Sequence, residues 1–370
     1  MPTRNIVLEL APTRARPRAS EGSFIRLRSG RIVFAYTQFS SGVSDHAEAV
    51  IVTRHSDDEG RSWSARPRLL IANEGRCNVM SVSLLRLADG RIALVYVRKD
   101  SPTACVPVFR YSDDEMRSFS PPLVLAREPG FYVVNNDRLC QLANGRIVVP
   151  VALHRMRGAA EAGQEPGAPP SRLNWQGLVY FLLSDDGGAF WFESRNHLYF
   201  CDAEGQGLQE PGLIELRGNR LWAYARPCIW GLPGYRQKQW QSFSDDGGHT
   251  WSPPEPSLFV SSCSPMLLGR LRDGTLYALW NDSSGQHPPK RPQPFSCGRT
   301  PLALAFSRDE GRHWTPSRCL ESEAKRGYAY PACFEPEDAL LVGYRPGAPN
   351  DPSHIARLRM RRVPLSSVPF

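Results

Sequence analysis

The sequence predicts an all-β fold, a six-bladed β-propeller in which a repeated motif marks five of the units, and two periodic signals carry that prediction. The first is a phrase, S-x-D-x-G-x-x-W, that recurs as SDDEGRSW from Ser56, SDDEMRSF from Ser112, SDDGGAFW from Ser184, SDDGGHTW from Ser244 and SRDEGRHW from Ser307. Four copies are complete, and the second has Met116 in place of Gly and Phe119 in place of Trp. Copies start 56, 72, 60 and 63 residues apart, a spacing that suits a four-stranded blade. The second signal is an alternation of apolar and polar residues broken by a tight turn, the period of strands.

Taken along the chain, that alternation marks hairpins at 24–36 (FIRLRSGRIVFAY), 83–96 (SLLRLADGRIALVY), 137–149 (DRLCQLANGRIVV), 212–223 (GLIELRGNRLWA), 266–280 (MLLGRLRDGTLYALW) and 333–344 (CFEPEDALLVGY). The Ser-Gly, Asp-Gly and Asn-Gly pairs supply the positive φ angles of two-residue hairpin turns. Six hairpins over 370 residues allot about 62 residues to each blade, so one domain uses the whole length, 1–370. A strand at 6–9 is expected to complete the last blade around 354–360. Two Pro/Gly-rich insertions, 155–172 and 283–298, break the rhythm and are expected at the rim of a central pocket.

The repeated phrase reads as a structural turn. Its Asp caps backbone N–H groups, its Gly takes an angle other residues avoid, and its Trp packs into the blade. Asp58, Asp186, Asp246 and Asp309 are therefore set aside as catalytic candidates. Composition agrees with a turn-rich β protein: 41% hydrophobic residues, 33 Pro, 30 Gly, and no apolar run near the ~20 residues that span a bilayer. The start lacks a stretch long enough for a secretory signal, and nine dispersed Cys form no C-x-x-C pair. Both point to free thiols in a reducing, cytoplasmic setting with no zinc site. The net charge of +8 comes from dispersed Lys and Arg without a basic run, which favours a small anionic substrate over nucleic acid.

With these boxes on such a propeller, the whole chain resembles the sialidase (neuraminidase) superfamily. The resemblance implies a glycosidase in which Tyr, not a carboxylate, attacks, because the sugar's anomeric carbon already carries a carboxylate. A Glu activates that Tyr, an Asp serves as acid/base, and an arginine cluster holds the substrate carboxylate. Residue by residue, Asp45, eleven residues before Ser56, matches the acid/base. Glu210, in LQEPGLIELRGNRL, matches the Glu, and Arg226, in WAYARPC, a clamp arginine. Arg299, before the strand that runs into the last box, matches another clamp arginine. Tyr330 in GYAYPAC matches the nucleophile, with Tyr328 as the choice if the strand flips by one residue.

The family's F/Y-R-I-P arginine is missing. Ser20 aligns at its place, with Arg18 close and Glu21 beside it, so either Arg18 swings in or the clamp keeps two arginines and the sugar differs. Polar strand-end residues, namely Asn78, Arg98, Asp100, Asn135, Asn136, Asp137, Arg138, Asn281 and Asp282, are further candidates for sugar hydroxyls. The implied function is an exo-glycosidase releasing a terminal acidic sugar, acting as a monomer without metal or organic cofactor, nucleic acid or membrane. The alternatives are a propeller hydrolase or lyase for another acidic sugar such as a uronic acid, and a non-catalytic carbohydrate-binding propeller.

Overall fold

A computed structural model describes residues 5–126, 128–156, 173–174, 176–200, 207–227, 237–289 and 294–367. Most of the first insertion (157–172), part of the second (290–293), Cys201 and Cys228 lie outside the described residues. A lone strand, β1 (Ile6–Leu10), precedes the first hairpin, which forms as β2 (Arg18–Arg26) and β3 (Ile32–Phe39) and continues antiparallel into β4 (Ala49–Ser56) and β5 (Arg68–Ile71). The second meander is β6 (Asn78–Arg86), β7 (Ile92–Ser101), β8 (Ala104–Ser112) and β9 (Leu123–Val124). In the third, β10 (Phe131–Val133) and β11 (Cys140–Gln141) both pair with β12 (Ile147–His154), followed by β13 (Leu178–Ser184) and β14 (Phe192–Glu193).

The fourth meander is β15 (Leu208–Glu215), β16 (Leu221–Pro227), β17 (Gln237–Ser244) and β18 (Glu255–Ser261). The fifth is β19 (Leu267–Arg270), β20 (Leu276–Trp280), β21 (Leu302–Ser307) and β22 (Arg318–Glu321). The last holds β23 (Tyr328–Phe334), β24 (Ala339–Pro346) and β25 (Leu358–Pro364), and β1 returns as its fourth strand, pairing Ile6 with Arg361 and Leu10 with Leu358. Single parallel bridges, Ala49 to Asn78 and Phe131 to Cys105, stitch the first three meanders together.

The hairpin turns are one residue longer than the Gly pairs suggest. Leu27 N–H donates to the Arg31 carbonyl and Gly30 N–H to the Leu27 carbonyl, so residues 28–30 form the loop and Gly30 alone there is left-handed, at φ 88°. Gly90, Gly145 and Gly274 repeat this three-residue geometry, which ends in a glycine bulge.

Apolar side chains fill the gaps between consecutive meanders. Ile25 and Val33 meet Val82 and Leu94 between the first and second, Val95 and Phe109 meet Val149 and Tyr180 between the second and third, and Phe181 and Leu183 meet Leu221 and Ala223 between the third and fourth. Trp222 meets Leu276 next, then Leu279 meets Leu340. Phe24 and Phe34 close the series against Leu341 and Met360 of the last meander.

The repeated boxes follow the third strand of their meanders and act as the sequence reading expects. In the first, Ser56 Oγ donates to Asp58 at 2.7 Å and accepts from Gly60 N–H, while Asp58 accepts the N–H of Ser62 at 2.9 Å. The glycine sits where the neighbouring core presses in: a Cβ on Gly60 would lie 2.6 Å from Leu341, and one on Gly188 2.4 Å from Phe109.

Candidate active site

The first strands of four meanders share a defect that builds the site. Pairing slips between Ser20 and Gly22, Met80 and Ser83, Gln209 and Gly212, and Ala329 and Ala332. At each slip a non-glycine residue takes a left-handed angle: Glu21 at φ 37°, Ser81 at 59°, Glu210 at 50° and Tyr330 at 57°. A bulge re-aims a side chain at a cost of about 1–3 kcal/mol for the strained angle. Here all four re-aimed side chains line one cavity of about 570 Å³.

The same cavity is lined by Arg18, Asp45, Asn135, Arg226 and Arg299, so with Glu21, Glu210 and Tyr330 the structure brings together eight of the residues singled out from the sequence. Tyr330 Oη donates to Glu210 Oε1 at 2.7 Å. The other Glu210 oxygen accepts from Arg226 Nε, and Arg226 also donates to Gln209 Oε1 at 2.7 Å. Arg299 lies over the Tyr330 ring, 5.5 Å from its centroid, and donates to the Cys263 carbonyl. Arg18 is fully buried, stacks on Phe39 and donates to Asp45 Oδ1 at 2.6 Å.

Asn136, Asp137 and Tyr328 do not reach this cavity, nor do Asn78, Arg98, Asp100, Arg138, Asn281 and Asp282. Asn136 is buried and donates to the Gly22 carbonyl. Asp137 accepts from Ser23 Oγ at 2.6 Å and Cys333 N–H at 2.9 Å, tying three meanders together at their inner strands. Tyr328 is fully buried against Tyr344, because the bulge at Tyr330 breaks the alternation that would otherwise put both tyrosines on one face. Among the other strand-end candidates, Asn135 lines the cavity, Asn78 holds the Asp45 and Ala47 carbonyls, Arg98 pairs with Asp100, and Asn281 donates to the Arg299 carbonyl.

The residue missed from the sequence is Arg345. It is 1% exposed, donates to both Ser20 Oγ and Glu21 Oε1 at 2.6 Å, and lies 4.5 Å from the Tyr330 ring centroid. Its guanidinium therefore sits against Ser20, the position aligned with the missing arginine. A signal was present: Tyr344-Arg345-Pro346 ends the second strand of its meander as Ala225-Arg226-Pro227 ends β16. Lys99, near the end of β7, is a second cation of the same kind.

The field in the cavity is strongly positive. Burial pushes the Asp45 carboxyl up, but Arg18, Lys99 and Arg345 outweigh it and hold it well below the carboxylate range, although its side chain is 54% exposed within the cleft. Burial likewise opposes the ionisation of Glu210, but Arg226 and Arg299 outweigh it and lower the pKa of its carboxyl. Tyr330 moves the other way, raised by burial and by the Glu210 charge. Burial and the neighbouring arginines bring His354 down to about 4, so it is neutral at physiological pH. Burial and Arg18 pull Arg345 down to about 10.

Comparison with known proteins agrees with the fold. Residues 33–342 match the BNR repeat-like domain, and the chain belongs to that family. Among solved structures it is similar to a protein of unknown function from Dyadobacter fermentans, with a TM-score of 0.70, 18% identity, and coverage of 96% of this chain and 98% of that one. It is similar to the Hadza microbial sialidase Hz136, with a TM-score of 0.69 and 14% identity over 95% of this chain and 67% of that one. It also resembles the leech intramolecular trans-sialidase, with a TM-score of 0.68 and 14% identity over 97% and 70% of the two chains. No curated protein sequence matches.

Proposed function

We propose that the meanders are the blades of a six-bladed propeller and that the chain is a retaining exo-glycosidase for a terminal acidic sugar of the sialic or related nonulosonic type. The observation that carries this reading is the Tyr330–Glu210 hydrogen bond inside a cavity rich in buried arginine. A phenol raised in pKa is a poor nucleophile alone, so Glu210 takes its proton as Tyr330 Oη bonds to the anomeric carbon. The bond to the aglycone breaks as Asp45 protonates the departing oxygen. Asp45 then draws a proton from a water that attacks the anomeric carbon, the bond to Tyr330 Oη breaks, and Glu210 returns its proton to the phenolate. Arg299, Arg226 and Arg345 receive the substrate carboxylate, with Arg345 standing in for the missing arginine.

A binding propeller without chemistry is the second reading. It is favoured by the Arg18–Asp45 pair, which leaves Asp45 ionised in the free protein. In the enzymatic reading the carboxylate held by Arg345 competes with Glu21, which Arg345 and Arg18 share, and Glu21 then draws Arg18 from Asp45 and frees it to take up its proton. Release of a fluorescent aglycone from an aryl α-sialoside, lost in Tyr330→Phe, supports the enzyme. A folded protein that binds sialosides and releases nothing supports the second reading.

A further inference from the structure

The cavity contains more positive charge than one carboxylate satisfies. Five cations line it, Arg18, Lys99, Arg226, Arg299 and Arg345, against three carboxylates, Glu21, Asp45 and Glu210. Each carboxylate has its own arginine: Asp45 with Arg18, Glu21 with Arg345, Glu210 with Arg226. Among the described residues, Arg299 and Lys99 make no ion pair. Arg299 belongs to the proposed carboxylate clamp. Lys99 does not.

Lys99 is 4% exposed, and its ammonium donates to the Asp45 backbone carbonyl at 2.9 Å and weakly to Met80 Sδ at 3.5 Å, with the Phe131 ring centroid 5.3 Å away. A lysine has three donors, and this one leaves its charge against apolar walls. The charged groups around it form no ion pair with it: the Asp45 carboxylate attracts it only from beyond ion-pair distance and is bonded to Arg18, Asp100 pairs with Arg98, the Cys105 thiol is pushed up to about 11 by burial, and His46 is lowered by burial. Burying an unpaired ammonium is costly, and a ligand anion is the group that removes the cost. Lys99 lies near the end of a strand of the second meander and Arg299 precedes a strand of the fifth, and they are joined through the run of contacts Asp45, Arg18, Glu21, Arg345 and Tyr330.

Resting on the acidic-sugar reading above, we infer that Lys99 forms a second anion subsite and that the ligand is doubly anionic, carrying a sulfate ester or a second carboxylate besides the group held by the arginines. One unpaired lysine calls for one negative charge. That favours a sulfate ester or carboxylate over a phosphate monoester, which carries nearly two at neutral pH.

The test is calorimetric binding to the full chain of N-acetylneuraminic acid, its 4-, 8- and 9-O-sulfate esters and its C9 carboxylic acid, with wild type, Lys99→Met and Lys99→Arg. The expected result is that at least one doubly anionic sugar binds wild type about tenfold more tightly than the parent. That ratio falls to near one in Lys99→Met and is kept in Lys99→Arg. The ester or acid that gains affinity identifies the chemical source. A wild-type ratio near one for every sugar that binds, or a raised ratio that survives in Lys99→Met, overturns the inference. Should Lys99→Met fail to fold, a steeper loss of wild-type affinity with salt for the doubly anionic sugar than for the parent supports the subsite, and equal slopes overturn it. If no nonulosonic acid binds, the sugar assignment falls by itself, and inorganic sulfate at ionic strength matched with chloride decides the subsite. Stabilisation by sulfate of wild type and Lys99→Arg but not of Lys99→Met supports it, and equal response in all three or none in any overturns it.

Discussion

Tyr330 and Glu210, 120 residues apart in the chain, meet through a 2.7 Å hydrogen bond because each sits at a bulge in the first strand of its own meander. If Glu210 acts as the base for a phenolic nucleophile, Tyr330→Phe lowers kcat on an aryl α-sialoside at least about 10³-fold while the loss of one hydrogen bond costs about 1 kcal/mol of stability. Stopped assays with thermal melts on the same preparations separate the two. An active Tyr330→Phe would remove Tyr330 from the chemistry.

Arg18 is the main lever on the acid/base. With Asp45 held low, only a small fraction is protonated near neutrality, and the alkaline limb of kcat/KM reports the loss of that proton. In Arg18→Gln the carboxyl loses its partner, so its pKa rises and the alkaline limb moves up by roughly 1–3 pH units. A pH profile that does not move would detach Asp45 from the proton donor role.

Arg345 and Glu21 form a buried pair, so removing one alone is confounded by instability of about 3–5 kcal/mol. The informative protein is the double variant Arg345→Met/Glu21→Gln, which leaves no uncompensated charge. A clamp role predicts that KM for an anionic glycoside rises about tenfold or more, with a smaller change in kcat and a near-native melting temperature. An unchanged KM assigns the pair to structure alone.

Much of the fold was legible because strands, turns and boxes repeat, and repetition averages out local ambiguity. The site was legible where resemblance supplied a motif, as for Asp45, Glu210, Arg226, Arg299 and Tyr330. Their mutual contacts were hidden, since the left-handed angles at Glu21, Glu210 and Tyr330 fall on residue types that do not advertise them. The choice between Tyr328 and Tyr330 turned on that bulge. Arg345 was hidden differently: its role depends on a contact with Ser20 from the other end of the chain, and only a comparison between meanders brings its Arg-Pro ending into view.

The boxes bear on stability rather than chemistry. Trp251 is 5% exposed, stacks on Phe181 at 4.0 Å and donates to the Gly248 carbonyl, so Trp251→Ala costs about 3–5 kcal/mol and Trp251→Phe less. Chemical denaturation with an unchanged slope checks this. Against a desolvation push upward, hydrogen bonds from Ser62 and Ser56 hold Asp58 at about 2, and those from Thr250 and Ser244 hold Asp246 at about 2. Both are depressed relative to the unfolded value near ~4. Their contribution is thus complete above that pH and fades as pH falls toward 2, and Asp58→Asn flattens the acid limb of a stability–pH curve.

The last prediction concerns closure. Without β1, the β25 edge is left unpaired, and Val7, Leu8 and Leu10 no longer cover the Phe24–Phe34 core. Arg359, 6% exposed, loses Glu9, its bond at 2.9 Å, and must share Glu321 with Arg361 and the Tyr344 hydroxyl. Loss of strand pairing, apolar cover and a partly buried ion pair together exceeds what one substitution removes. Deletion of residues 1–10 is therefore expected to lower the melting temperature by at least about 10 °C and to promote association through the bared edge. Differential scanning calorimetry with size-exclusion chromatography reads both effects, and a truncated chain that melts with the full-length protein as a monomer would show that the sheet does not need its N-terminal strand.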